Sequence, residues 1–493
     1  MHKTKILFLN NYPVYGGVER QAEMLLTNLN DKIFDKHLLC FYPNVKHIEN
    51  VRKIKDVKCY SFDSGLKSFS DQEVKSLENL LSYIKPDVVF TEHINNRLVP
   101  LLRAAKLVPR TKVINRVPHG LTSFFKFLLQ NTEPNDELFK KCDNELSRIF
   151  GMCDSIVPLS KNLGRELVDR LSIAVSSELP YMVDISSHSS EAIYKNNKRY
   201  VVLFIGRLAK EKGLKHVIAA ATAIPECEFW IVGEGPDGKY FEQKSFDVKN
   251  IKFWGFQENP YKFLNSADLL VLPSYSEGLP GVVIESFSAG IPVVATSVGA
   301  ISELIDNSQF GRVVKTGDEK AFISAIREMM KFIPDKQLIL KKAQDYSMKN
   351  LLPKHEELFL SVSANIGFNK ASQSKDDLMD ISEPLEMYFI EYELQCFAKK
   401  IKKVKPSGIF AYGAGGRGKQ FLEIARMHNL SLTAFVDSNR EKTGRIFEGL
   451  PVITPEEMHS RLNGGVVVIT SVYKDEIIPT LKELGVPDSK ILY

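Results

Sequence analysis

No two of the six cysteines, at 40, 59, 142, 153, 227 and 396, form a CxxC pair, and no His/Cys grouping has metal-ligand spacing. That excludes a zinc ribbon and a disulfide-stapled scaffold, and leaves free thiols in a reducing cytoplasm as the expectation. No apolar run approaches the ~18 residues of a membrane span, so contact with a bilayer could only be peripheral. The opening MHKTKILFLNNYP has the basic start of a signal peptide, but its apolar run, Ile6 to Leu9, breaks at Asn10. A first β-strand is the expectation there. Strong charge is missing too: 65 Lys/Arg stand against 60 Asp/Glu. Residues 1–185 hold 26 bases and 22 acids, a surplus that a solvated surface accounts for, and no nucleic-acid partner is expected. Internal repeats and low-complexity tracts are absent.

What is present is βα alternation, in three series. At 493 residues the chain is too long for one core. Strand-like KILFL, a glycine loop and helical QAEMLLTNL begin the first series, which continues through HLLCFY, DVVFTEH, KVINRV and DSIVPLS. Polar residues 185–198 read as a linker. RYVVLFIG then opens a second series with CEFWIVG, NIKFWGF, ADLLVLP, PVVAT and GRVVK, which a helical segment near 335–363 closes. Residues 364–384 are polar and turn-prone, and GIFAYGAGG begins a third series behind an apolar-periodic helix. The expected architecture is α/β, with Rossmann-like domains at 1–184 and 185–363, a linker at 364–384 and a third, small Rossmann-like domain at 385–493. Two such sheets joined by a linker imply an interdomain cleft, which suits a transferase that must exclude water.

The chemistry concentrates in the second series. In PSYSEGLPGVVIESFSAGIPVVAT, Glu277 lies in a Gly/Pro loop and Glu285 eight residues on. With a helix starting near Gly281, Glu285 sits a little over one turn inside it, and both carboxylates can face one cleft at the carboxyl end of a parallel sheet. GRLAKEKG puts Arg207 and Lys212 between a strand and a helix, a planar fork and a point charge suited to a diphosphate. VGEGP, residues 232–236, follows a third strand of the same sheet.

GRLAKEKG, VGEGP and the E-x7-E stretch EGLPGVVIE resemble the signature of the retaining glycosyltransferases of family 4, which have the two-domain GT-B fold. The resemblance covers roughly residues 1–365 and is strongest from 200 to 315. It implies that Arg207 and Lys212 neutralise the leaving diphosphate of a nucleotide-sugar, that Glu285 accepts from the ribose hydroxyls, and that Glu277 with the backbone of Gly278, Leu279, Pro280 and Gly281 holds sugar hydroxyls and phosphate oxygens. Gly233, Glu234 and Phe256 then meet the base. It also implies front-face attack, with catalysis by electrostatics and positioning rather than a protein nucleophile. The acceptor would be a saccharide, lipid-linked or protein-bound. No DxD triplet follows a strand in the first two domains, so transfer without metal or other cofactor is expected. The reading from another class is a non-catalytic GT-B partner subunit that presents an acceptor; retention of Arg207, Lys212, Glu277 and Glu285 argues against it.

On the first domain, Gly16 and Gly17 follow the first strand, where backbone can approach a ligand closely. His119, in RVPHG, matches a family histidine near the transferred sugar, with His93 ranked below it. Residues 121–130, rich in Phe and Leu, are the candidate for peripheral membrane contact. One departure stands out: relatives often carry Asn-Gly before the second domain, where LPYMVD here has Tyr181 and Met182. In the third domain Gly413, Gly415 and Gly418 have G-x-G-x-x-G spacing between a strand and a helix, and Asp437 ends the next strand. This segment resembles the Rossmann-like domains of sugar acetyltransferases and sugar methyltransferases, which implies a binding or assembly role rather than a dehydrogenase.

Overall fold

The computed structural model describes residues 3–10, 16–41, 51–62, 71–92, 98–121, 136–185, 199–364, 385–471 and 474–492. The chain divides into two compact units, one of residues 1–127 with 143–382 and one of residues 128–142 with 383–493.

The first unit holds two six-stranded parallel sheets. One contains β1 (Thr4–Asn10), β2 (Phe34–Cys40), β3 (Val57–Ser61), β4 (Val88–Thr91), β5 (Lys112–Val117) and β6 (Ser155–Pro158), in the order β3-β2-β1-β4-β5-β6. The other contains β7 (Val201–Ile205), β8 (Glu228–Val232), β9 (Ile251–Phe253), β10 (Leu269–Leu272), β11 (Val293–Thr296) and β12 (Gly311–Val314), in the order β12-β11-β10-β7-β8-β9. Each is the doubly wound arrangement in which strand order reverses beside the first strand, opening a crevice at the carboxyl ends. Helices cover both faces of such a sheet, so its central strands are apolar without alternation. LLVL of β10 and VVAT of β11 are buried at every position. β3, by contrast, lies at an edge and is nowhere fully buried, which is why VKCYS gave no apolar signal.

Three helices matter for the site. α1 (Gly17–Asn28) follows β1 and α2 (Gly281–Ser288) follows β10. α3 (Met348–Ser363) packs back on the first sheet, where Phe359 stands edge-on to Phe8, Phe34 and Phe90 with ring centroids 6.0, 6.3 and 5.3 Å away. Phe359 is fully buried, a contribution of about 1.5–3 kcal/mol. The two passages between the domains run side by side: Val183 N–H donates to Tyr346 O (2.9 Å) and Met348 N–H to Val183 O (3.1 Å). The departure noted at Tyr181 and Met182 belongs to this passage. Met182 exchanges two hydrogen bonds with the Gln21 amide of α1, at 2.7 and 2.8 Å.

Beneath the passage lies a buried charged group. Arg116 of β5 is 0% exposed, donates from Nε to Glu92 Oε1 at 2.6 Å, and stacks over Phe90 and Tyr181. Its Nη1 donates to His355 Nε2 of α3 at 2.8 Å. The His355 Nδ1–H then donates to Leu351 O, also at 2.8 Å. Burial and the neighbouring guanidinium hold the His355 pKa at about 3, so its ring is neutral and can take this accepting role.

The second unit contains a sheet of β13 (Ile409–Tyr412), β14 (Ala434–Val436), β15 (Ile446–Phe447), β16 (Leu450–Ile453), β17 (Val466–Ile469) and β18 (Ile491–Leu492), in the order β15-β16-β14-β13-β17-β18. All pairings are parallel except the β15–β16 hairpin. Helix α4 (Gly416–Met427) follows β13. Two Rossmann-like sheets plus a third, smaller one is the architecture that the alternation led us to expect.

Candidate active site

Three loops at the carboxyl edge of the second sheet are bonded into one platform. Leu208 N–H of the loop after β7 donates to Glu234 O of the loop after β8 (2.9 Å), and Tyr275 N–H of the loop after β10 donates to Glu211 O (2.7 Å). The platform is this tight because its glycines admit no side chain. At Gly213, which has φ +68°, a Cβ would stand 2.0 Å from Pro273 O.

On this platform Lys212 reaches Glu277. The Lys212 Nζ lies 2.8 Å from Glu277 Oε1, which also accepts from Ser274 Oγ at 2.6 Å. Glu277 is 6% exposed, so the lysine supplies the counter-charge that a buried carboxylate needs. Across the cleft, His119 of the first domain forms a bridge with the Gly278 backbone. The two domains approach so closely there that a Cβ on Gly278 would lie 1.8 Å from Pro118 O. His119 is exposed at the protein surface yet crowded by protein atoms; desolvation first and Lys212 second lower its pKa to about 4, against an opposing pull from Glu277. The imidazole is therefore neutral near pH 7. His119, Lys212 and Glu277 form one cluster.

Glu285 is the second centre. It lies on α2, 4% exposed, and bonds the Arg20 guanidinium of α1 from the opposite domain. The first turns of α1 and α2 are thereby linked, Arg20 lying in the one and Glu285 a little over a turn into the other. Glu19 steadies the first of these by accepting from Gly16 N–H at 2.9 Å, and burial lifts its pKa to about 7. Among the described residues, nothing beyond the chain neighbours and the helix's own backbone lies within 4 Å of a Cβ added at Gly17 or Gly281, and neither has a positive φ, so described packing does not demand glycine at either. For a phosphate-bearing ligand at the start of α2, Gly281→Ala is expected to leave the melting temperature undiminished while raising that ligand's dissociation constant about tenfold, because a methyl group replaces the close approach to backbone N–H groups. Calorimetric titration beside a melting curve checks both halves.

The remaining predicted residues fall around these centres. Arg207 pairs with Glu211 at the rim, its side chain 49% exposed. Glu234 accepts from Phe256 N–H at 3.3 Å, and the Phe256 ring is 58% exposed, open to stack on a base. Gly233, at φ +134°, lets the loop after β8 press on Gly206 O. Leu279 and Pro280 are buried in the turn that starts α2. His93 and residues 122–130 lie outside the described residues, and so does nearly all of the candidate membrane segment. No helix among the described residues is long and apolar enough to cross a membrane, and none of their His, Cys, Asp and Glu side chains cluster in a metal-binding group.

Sequence reasoning missed Arg20, Ser274 and Glu303. The Glu303 carboxylate accepts from Lys161 N–H (3.1 Å) and Asn162 N–H (2.8 Å), capping a helix of the opposite domain. Arg20 did leave a signal: a cation in the first turn of a helix opposes the dipole, which points to an anion brought from elsewhere.

In the second unit Asp437 closes its own loop, accepting from Ala414 N–H (3.1 Å), Asn439 N–H (2.9 Å) and Lys442 Nζ (3.0 Å). Gly418 packs against Gly413, where a Cβ would be 2.2 Å from the carbonyl oxygen, while a Cβ on Gly415 would meet open space.

The chain is similar to known proteins in two stretches and in fold. Residues 199–331 match the family described as Glycosyl transferases group 1, and residues 407–492 match one described as C2185-like, N-terminal. A structure of a glycosyltransferase from Rickettsia africae superposes with a TM-score of 0.60 at 14% identity, covering 74% of this chain and 100% of that one. The fold is GT-B. This GT-B chain is 25% identical over 367 residues to an Escherichia coli protein named UDP-Gal:alpha-D-GlcNAc-diphosphoundecaprenol alpha-1,3-galactosyltransferase, covering 66% of this chain and 87% of the relative. It is 31% identical over 133 residues to the Rhizobium meliloti lipopolysaccharide core biosynthesis glycosyltransferase LpsD, covering 26% and 39%. The chain spans between 39% and 47% of the length of the first curated relatives it matches. Arg207, Lys212, Glu277 and Glu285 all fall inside the group 1 segment.

Proposed function

We propose that this GT-B protein is a retaining, metal-independent glycosyltransferase of family 4 that moves a sugar from a nucleotide-sugar to a saccharide, lipid-linked or protein-bound acceptor in surface-glycan assembly. The observation that carries the reading is the Lys212–Glu277 pair facing His119 across the cleft, with α1 and α2 linked through Arg20 and Glu285. Lys212 and Arg207 take up charge on the departing diphosphate. Glu277 and the start of α2 hold the sugar and phosphate oxygens, Glu285 the ribose, and Phe256 the base. In front-face transfer the acceptor oxygen bonds to C1 as the C1–phosphate oxygen bond breaks on the same side, and the acceptor proton passes to that leaving oxygen. Stereochemistry at C1 is retained, and the protein's part is charge stabilisation and orientation. Relatives named for lipopolysaccharide core and diphosphoundecaprenol chemistry support the acceptor class. A cytoplasmic location with peripheral membrane contact fits such an acceptor.

The first experiment is a thermal-shift screen over UDP-, GDP-, ADP- and dTDP-sugars. A donor at 100 times its dissociation constant stabilises the native state by about 2.7 kcal/mol. The active donor is then assayed for transfer, with the product anomer read by NMR; an inverted anomer rules out the retaining reading. Activity is expected to survive EDTA. Loss with EDTA, restored by Mn²⁺ or Mg²⁺, refutes metal independence. A protein that binds donor and neither transfers nor hydrolyses it would be the acceptor-presenting partner subunit instead.

His119→Ala is expected to lower kcat about 10- to 100-fold with little change in donor affinity. Because the His119 pKa lies near 4, the ring stays neutral from pH 5 upward and loses no function there; it becomes charged only as pH falls through about 4. A pH–rate profile with an inflection between pH 6 and 7 that vanishes in the variant would contradict this.

For the third domain we propose a binding or assembly role at the Gly413, Gly415 and Gly418 loop. The Asp437 carboxylate, already holding Ala414 N–H and Lys442, is engaged in shaping that loop, which favours this role over a dinucleotide site.

A further inference from the structure

Arg20, an arginine of the first domain, bonds a residue assigned to the donor. It lies in the first turn of α1, and its side chain is 38% exposed; Glu285, its partner on α2, belongs to the other domain and is almost wholly buried. The pairing has two physical consequences. A nearly buried carboxylate stands in a low-dielectric setting where a fixed cation is a strong orienting influence. A carboxylate also offers about four lone-pair directions on two oxygens, and Arg20 engages only Oε1. Among the described residues no other side chain bonds the Glu285 carboxylate, so the geometry keeps acceptor capacity for a pair of adjacent hydroxyls while fixing the plane of the group.

The cation that fixes it is carried by the opposite domain. It comes from the same turn as Glu19, whose carboxylate accepts from Gly16 N–H and so ties Gly16 to the helix start that carries Arg20. Two further contacts cross the cleft nearby, His119 with Gly278 and Glu303 with the Lys161 and Asn162 N–H groups. Glu285 is thus held in its orientation when the domains are together.

We propose that Arg20 is a positioning residue for ribose recognition: reaching across from the first domain, it sets the Glu285 carboxylate to accept the 2′- and 3′-hydroxyls of a nucleoside diphosphate, so that the ribose is read in the closed arrangement. The proposal rests on Glu285 being the ribose acceptor of a nucleotide-sugar enzyme. Arg20 itself need not touch the ribose. A site built to bond a hydroxyl rejects the analogue that lacks it, because its own acceptor is left unpaired. Without Arg20 the carboxylate turns and that rejection is lost.

The test titrates the full-length protein with UDP, GDP and ADP and with the 2′-deoxy form of each, for wild type, Arg20→Ala and Arg20→Lys. The wild type is expected to favour the ribonucleotide over its deoxy form by about tenfold or more. Arg20→Ala is expected to bring that ratio to about twofold or less by weakening the ribonucleotide while leaving the deoxynucleotide nearly unchanged. Arg20→Lys, with a point charge in place of a planar fork, restores part of it. A purely structural role would weaken both forms alike and keep the ratio. Should Arg20→Ala fail to fold, Arg20→Lys and Arg20→Gln decide by the same ratio. A wild-type ratio retained in the variants, or a wild type that binds nucleotides without telling ribose from deoxyribose, overturns the proposal and leaves the transferase reading standing. Binding of none of the six by the wild type overturns the proposal, and if dTDP fails to bind as well, the nucleotide-sugar reading falls with it.

Discussion

Lys212→Ala is expected to lower kcat by about 10²- to 10³-fold while the protein remains folded. The lysine acts on two charges at once. It bonds Glu277 at 2.8 Å in the unliganded protein and stands where the proposed leaving diphosphate gathers negative charge. Its removal leaves Glu277 with the Ser274 hydroxyl, and an uncompensated carboxylate then repels the incoming phosphates. Arg207 is poorly placed to substitute, because its guanidinium is engaged by Glu211 at the rim. Removing Glu277 as well should relieve part of the loss, so the double variant is expected to fall short of the product of the single effects. Steady-state kinetics on the four proteins measures this. A Lys212→Ala kcat within about tenfold of wild type would remove the lysine from the proposed role.

The second large effect is on stability. Arg116→Ala is expected to destabilise the first unit by about 3–5 kcal/mol, because it leaves Glu92 buried without its partner. Burial already raises the Glu92 pKa, and Arg116 is the chief influence holding it down. With that cation gone the folded-state value climbs further. An unfolded glutamate ionises near pH ~4.3, so above that pH the folded variant must either bury a charge or retain a proton that the unfolded chain releases. Wild type and variant share the loss up to the wild-type folded value, so the deficit relative to wild type grows as pH rises above that value toward the variant's higher one, and shrinks on acidification. Melting curves at pH 5 and pH 8 should show the gap from wild type narrowing at pH 5. Replacing both members, as Glu92→Leu with Arg116→Met, should recover much of the loss, since no unpaired charge remains. A gap that does not change with pH would point to lost packing over Phe90 and Tyr181 as the cause.

Much of this was legible in the sequence, for reasons that differ by element. Central strands such as LLVL and VVAT announce themselves because both faces are buried, and the start of α2 at Gly281 follows from the Gly/Pro turn before it. Arg207, Lys212, Glu277 and Glu285 could be named as candidates because three ligand-type loops fall at the carboxyl ends of strands of one parallel sheet and their order resembles a family signature. Edge strand β3 stayed hidden, since a half-exposed strand has no continuous apolar run. Arg20 and Glu303 could not be assigned partners because theirs lie 265 and 142 residues away or less, across a cleft that only the fold creates. The Glu92–Arg116–His355 group was illegible for the same reason: the spacing from Arg116 to His355 is 239 residues, and nothing local marks either as buried.

The paired passages at Val183 and Ser347 carry a consequence for the order of the chain. Because α3 returns to the first sheet and places Phe359 against Phe8 and Phe90, the second sheet's half is a continuous insert in a host whose final piece arrives last. During synthesis the first sheet, complete at Pro158, must wait with its aromatic socket open until Phe359, about 200 residues further on, has been made. A chain cut short just after residue 345 would accordingly damage the first sheet's half, which it contains almost entirely, before the second sheet's half at which the cut falls.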